Sequence, residues 1–276
     1  MKRVPVALLL NLLGSSPLLA QGVLVAPTSI FIDGRSRAAT VLLVNPNDEP
    51  AEVELSVTYG YTVTDSAGSF SLWTSDAPDS TAPSAASWIR VFPRRVAIEP
   101  RAQQLVRLLV SPPGGLPDGE YWARLVVLAR GGKVAVEAAT DSGSVTVGLA
   151  VEVRTVLPVL YRNGDIQPGA ALDALTARPD GDSLAVRARL SRTAGAAALG
   201  TFRAILVDST GTALRRSELP VSVYAPIEPR LALPVDSLPP GRYSVRMELV
   251  AERPDLPPEA LLRFPAVRDS LSVTLP

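Results

Sequence analysis

Histidine and cysteine are absent from the 276 residues, and lysine occurs only as Lys2 and Lys133. Without imidazole or thiol there is no Ser-His-Asp triad, no thiolate nucleophile and no Cys/His zinc site. A Ser-Lys dyad would have to use Lys133, which Gly131-Gly132-Lys133 places at a hairpin tip, where a lysine stays solvated and protonated. Two acid pairs remain, Asp180 with Asp182 and Asp76 with Asp79. Both stand in turn-forming contexts where Asp caps backbone amides, and neither supplies the ligand series of a calcium loop. The chain is therefore expected to be no enzyme, with no metal and no cofactor.

Other shortages narrow the class further. With no cysteine there is no disulfide, so each domain must hold together by its own core, which 47% apolar residues make feasible. Beyond the first 20 residues no segment approaches the roughly 20 uninterrupted apolar residues of a membrane helix. Charge of one sign is also lacking, with 27 basic and 27 acidic residues. Nothing in that balance points to a nucleic-acid or anionic-membrane partner.

The start of the chain has the order of a secretory signal: Lys2-Arg3, an apolar run from Val4 to Leu13, then Gly14-Ser15-Ser16-Pro17 and Leu18-Leu19-Ala20. Cleavage is expected after Ala20, sending the mature chain to the periplasm with no membrane insertion afterwards. About 255 residues then remain, enough for two sandwiches of about 100 each.

A period of two dominates that mature chain. Val53, Leu55, Val57 and Tyr59 alternate with Glu52, Glu54, Ser56 and Thr58, the pattern of a half-buried strand. Comparable runs lie at 29–33, 40–44, 88–91, 104–110, 120–128 and 145–159, punctuated by Pro46-Asn47-Asp48, Pro112-Pro113-Gly114-Gly115 and Pro117-Asp118-Gly119. A second series follows the turn-rich Asn163-Gly164-Asp165, at 171–176, 184–190, 202–207, 219–224, 230–235, 243–249 and 271–275. Short strands at spacings of about ten residues predict an all-β protein, two immunoglobulin-like β-sandwiches in tandem. The expected division is 1–20 signal peptide, 21–162 first domain and 163–276 second domain. Residues 64–87, rich in Ser, Ala, Asp and Pro, read as a long, mobile excursion whose Phe70 and Trp73 cover the sandwich edge.

Three stretches of the first domain carry a family resemblance. Ala26-Pro27-Thr28-Ser29-Ile30-Phe31-Ile32-Asp33-Gly34-Arg35 with Val41-Leu42-Leu43-Val44-Asn45 is one. The second is Ile89-Arg90-Val91-Phe92-Pro93-Arg94-Arg95-Val96-Ala97-Ile98-Glu99-Pro100, running on through Gln104 and Arg107 to Leu116-Pro117-Asp118-Gly119-Glu120-Tyr121. The third is Leu157-Pro158-Val159-Leu160-Tyr161-Arg162. In order and spacing, over residues 23–164, they resemble the periplasmic pilus-assembly (fimbrial) chaperones, with weaker support from Val221-Ser222-Val223-Tyr224-Ala225-Pro226 in the second domain.

The resemblance implies a two-sandwich periplasmic carrier that lends a strand to an incomplete pilin-like subunit and delivers it to an outer-membrane usher. Main-chain hydrogen bonds supply affinity in such β-augmentation, and alternate apolar side chains fill the groove. Val145, Val147, Leu149, Val151 and Val153 share one face and form the expected client-binding strand, although an ordinary strand packed on its own core shows the same alternation. The family's carboxylate-anchoring Arg and Lys fall on Ser29 and Pro158 here, and neither can donate a charge-assisted hydrogen bond. Arg162 and Arg154 are the nearest replacement cations, each with a salt bridge as its ordinary role. A structural or adhesive envelope protein with two binding domains is the alternative reading.

Overall fold

The computed structural model describes residues 22–140 and 143–275, with side chains described outside 132–150; the expected signal segment lies outside the described residues. The first ten strands are β1 (Leu24–Ala26), β2 (Ile30–Asp33), β3 (Ala38–Val44), β4 (Ala51–Thr64), β5 (Phe70–Ser75), β6 (Ile89–Phe92), β7 (Arg95–Ile98), β8 (Gln103–Val110), β9 (Gly119–Thr140) and β10 (Gly143–Asn163). They make two facing sheets, one ordered β1-β3-β8-β6 and the other β2-β10-β9-β4-β5, with β7 also on β4. Alternation does the folding here. Val41 and Leu43 of one sheet and Leu125, Val127 and Val159 of the other meet in one core, all at most 1% exposed.

After β10 come β11 (Ala170–Asp180), β12 (Ser183–Arg192), β13 (Ala198–Val207), β14 (Ala213–Val223), β15 (Arg230–Pro234), β16 (Gly241–Val250) and β17 (Val267–Leu275). Their sheets are ordered β11-β12-β15 and β14-β13-β16-β17, and Leu184, Val186, Phe202, Met247 and Leu249 form a separate core. The fold is thus all-β, two sandwiches in tandem.

Asn45 holds the turn between β3 and β4. It is fully buried, and its amide nitrogen donates to the carbonyls of Glu49 at 2.8 Å and Ile98 at 3.0 Å, while its side-chain oxygen accepts from the Asn47 amide at 3.1 Å. Asn45→Ala removes the donor to the buried Ile98 carbonyl and to the more exposed Glu49 carbonyl, and is expected to cost about 2–3 kcal/mol in chemical denaturation. A loss below about 0.5 kcal/mol would show that the turn is held by its prolines alone.

Two expectations are corrected. The stretch 64–87 is not a long free excursion: β5 pairs antiparallel with β4, from Tyr59 opposite Ser75 to Thr64 opposite Phe70. The tip is closed by Asp65, whose side chain accepts from the Ser69 amide at 2.8 Å, and by Gly68 at φ +84°. It is also tied to the second sandwich, with Arg187 Nη2 donating to the Ser66 carbonyl at 2.7 Å and the Glu228 amide to Thr64 Oγ1 at 2.7 Å. A Cβ at Gly68 would stand 2.9 Å from the Arg230 amide nitrogen, so only glycine allows this approach. A protease of broad specificity such as subtilisin is therefore expected to spare this tip in the native chain. Rapid native-state cleavage within 65–69 would contradict the tether.

The second correction concerns Lys133. Gly131-Gly132 does not turn the chain: β9 runs on to Thr140, and Lys133 pairs with Ala150. Pairing passes from Arg130 opposite Glu152 to Lys133 opposite Ala150, so two glycines face the single Val151. That two-against-one count is a β-bulge, which glycine pairs serve as readily as turns.

Candidate functional site: strand edge and domain joint

β10 has β9 beside it along its length, but β2 joins its other edge only from Val159 opposite Ile30 to Arg162 opposite Asp33. From residue 143 to 158 that edge has no strand partner among the described residues. Its amides and carbonyls present a template for another extended chain. The side chains change character along the same stretch. Tyr161, Val159 and Leu157 are at most 2% exposed in their own core, whereas Val153 and Val151, on the same face, are only half-buried. The strand is running out of its sandwich. β9 loses its second neighbour in step, because β4 reaches only to Glu52 opposite Arg130. Beyond that row β9 and β10 form a two-stranded ribbon, in which Val145, Val147 and Leu149 pair with Ala138, Val136 and Val134. Those three side chains lie outside the described residues.

The parallel register that sets Val159 beside Ile30 brings Pro158 level with Ser29. Arg154 is exposed on the outward face of β10. Arg162 is placed quite differently. Its Nε donates to Glu120 Oε2 at 2.9 Å and its Nη2 to the Ala260 carbonyl at 2.6 Å, with the guanidinium 5.0 Å from the Phe31 ring centre. The side chains are 13% exposed for Arg162 and 0% for Glu120, so the pair lies deep between the sandwiches. Glu120 Oε1 accepts from Trp122 Nε1 at 3.1 Å and from the Ala197 amide at 3.0 Å. One carboxylate thereby receives donors from both domains, which offsets the cost of burying it.

No protein-family model matches the chain, and no curated protein matches it. Several solved chaperone structures are similar to it. The CupB2 chaperone of Pseudomonas aeruginosa is 13% identical, with 92% of this chain and 100% of that chain covered at a TM-score of 0.44. The CsuC–CsuE chaperone–tip adhesion subunit pre-assembly complex, from archaic chaperone-usher Csu pili of Acinetobacter baumannii, matches at 13% identity over 91% of this chain and 97% of that one, TM-score 0.47. The complex of the Salmonella enterica SafA pilin with the SafB chaperone matches at 16% identity over 91% and 96%, TM-score 0.40. The fold described above stands on this chain's own sheet order and register.

The joint itself is the part that sequence reading missed. Tyr59, Trp122, Leu160, Ala197, Leu199 and Tyr224 form a third apolar cluster that belongs to neither sandwich core. Trp122 meets Tyr224 edge to face with ring centres 4.8 Å apart, and Tyr61 packs against Trp73 at 5.0 Å. Arg124, 5% exposed, lies over Tyr224 at 4.9 Å, and Arg192 over Trp122 at 5.1 Å. Burial pushes the Tyr224 and Tyr59 phenols above their ordinary range, and the Arg124 guanidinium opposes that push at both. The available signal was the alternation Trp122, Arg124, Val126 on the face of β9 opposite Ala123, Leu125 and Val127, which puts two large polar-tipped side chains where a second layer must cover them.

Proposed function

We propose that the chain is a periplasmic chaperone-like protein that binds exported pilus, fimbrial or related surface subunits by donating β10 and assists their assembly. The observation that carries this reading is the open edge of β10 together with the passage of its apolar face from full burial at Leu157 to partial exposure at Val153 and Val151. An ordinary sandwich strand keeps its apolar face in its own core. Here the bulge at Gly131-Gly132 and the ribbon beyond it carry alternating valines past the end of the core, where an incomplete subunit supplies the missing packing. The sequence resemblance over residues 23–164 supports the same reading, and the outer-membrane usher enters the proposal through that resemblance.

Co-expression with a pilin-like subunit encoded beside its gene tests the proposal. The expected result is a one-to-one soluble complex from the periplasmic fraction that disappears as subunits enter fibres. Stoichiometric presence of this chain in purified surface fibres would overturn it. The cations give a second check. Arg154→Ala is expected to weaken capture while leaving the unfolding midpoint unchanged, as for an exposed anchor of a client carboxylate. Arg162→Ala is expected to lower the midpoint first, because it leaves Glu120 buried without its cation.

A further inference from the structure

The 27 basic and 27 acidic residues balance over the chain but not sheet by sheet. The strands of the sheet β1-β3-β8-β6 contain no acid, and their only charged residues are Arg90 and Arg107. In the facing sheet, Glu54, Arg95, Arg130 and Glu152 are instead joined in ion pairs. The acids nearest the first sheet are already taken, Glu54 by Arg95 and Asp48 by Arg101, and neither Arg90 nor Arg107 has an ion-pair partner among the described residues. Around these two cations the outward face of the sheet is apolar. Alternation buries Val41, Leu43, Val106 and Leu108 in the core and so turns Leu24, Phe92, Leu105 and Leu109 outward, where they are 49 to 74% exposed. Strand register places Phe92 beside Arg107, Leu109 beside Arg90, and Leu105 beside Leu42, which lies in turn beside Ala26. Single exposed leucines are ordinary, but four large apolar side chains on one face whose only charges are positive mark an interaction surface.

We propose that this face docks peripherally, without insertion, on an anionic phospholipid surface. The guanidinium fork matches phosphate oxygens, and an anionic leaflet attracts cations that come within a Debye length of it. Leucine and phenylalanine side chains that protrude from a sheet enter the boundary between headgroups and acyl chains without a shaped pocket to receive them. A protein partner would need to supply a packed pocket for each protrusion, whereas a fluid leaflet closes around them. β10 belongs to the other sheet, so docking leaves its open edge free. The inference does not depend on strand donation, and its test uses no client.

The test is co-sedimentation of the purified chain with vesicles of equal parts phosphatidylglycerol and phosphatidylcholine, against vesicles of phosphatidylcholine alone. Binding to the anionic vesicles is expected to be about tenfold tighter than to the neutral ones, and to weaken as salt is raised. Arg107→Glu and Leu105→Ser, both at exposed positions, are each expected to weaken it about tenfold with the unfolding midpoint unchanged. Arg242→Ser, at an exposed arginine of the second sandwich, is expected to leave it as it was. Because the chain has no cysteine, Leu105→Cys carrying a polarity-sensitive dye reports on this face alone. Its emission is expected to move to the blue with anionic vesicles, while the same dye on Arg242→Cys does not respond. Failure to sediment with anionic vesicles, which would leave the face to an acidic protein surface, overturns the proposal. Equal binding to neutral vesicles, or sedimentation without a dye response at Leu105→Cys, overturns it as well.

Discussion

Glu120→Ala is expected to destabilise the full chain by about 3–5 kcal/mol, the range for breaking a buried ion pair from one side. The substitution removes the acceptor of Arg162 Nε, Trp122 Nε1 and the Ala197 amide at once. Arg162 would then be a charge without a counter-charge, at a site where its side chain is only 13% exposed. Glu120→Gln keeps an oxygen for the neutral donors and loses only the charge, so a smaller loss is expected. The double change Glu120→Leu with Arg162→Met should cost less than Glu120→Ala alone, since no buried charge is left behind. Chemical denaturation of the four proteins measures this ordering. A Glu120→Ala loss under about 1 kcal/mol would mean that the seam opens to water and the pair is effectively at the surface.

Val151→Glu is expected to abolish client capture with an almost unchanged unfolding midpoint. Val151 is half-buried and faces the bulge, so a glutamate there can still reach water in the free protein. Val159→Glu is the paired control. It lies on the same face of the same strand but is fully buried, and a carboxylate placed there should cost several kcal/mol or prevent folding. Co-purification of an incomplete subunit alongside denaturation curves separates the two costs. If Val151→Glu unfolds as Val159→Glu does, the valines of β10 belong to the protein's own core and strand donation loses its support.

Much of the fold is legible because one rule, alternation, governs both cores. Val53 and Leu55 of β4, Val186 and Leu190 of β12, and Val245 and Met247 of β16 are all buried where a period of two puts them. Legibility stops where a strand leaves its own core. Tyr59 continues the face of Val57 on paper, yet Thr58, Tyr59 and Gly60 are buried in succession, because Ser75 and Asp76 bond to Thr58, Trp73 and Thr74 lie close over Gly60, and Tyr59 packs with Ala197, Leu199 and Tyr224 of the second domain. The same limit explains the two corrections. The tip of the β4–β5 hairpin is tied to Arg187 and Glu228, more than a hundred residues away, so local composition read it as free. Gly131-Gly132 has turn composition, and only the pairing of Arg130 with Glu152 and Lys133 with Ala150 makes it a bulge.

Residue content by itself determined what chemistry is closed to this protein, since no fold can supply an imidazole or a thiol that the chain lacks. Alternation by itself determined the class of fold, because a strand with one wet and one dry face needs a second sheet to cover it. Sequence alone also nominated β10, but it could not say that one edge of that strand lacks a strand partner over residues 143–158 among the described residues. That depended on where β2 stops pairing, a property of the sheet. The fate of the arginines was decided at the same level. Arg162 and Arg154 read alike in sequence, but one lies sealed against Glu120 and the other faces solvent, because strand register and the approach of a second domain set the environment of a charge.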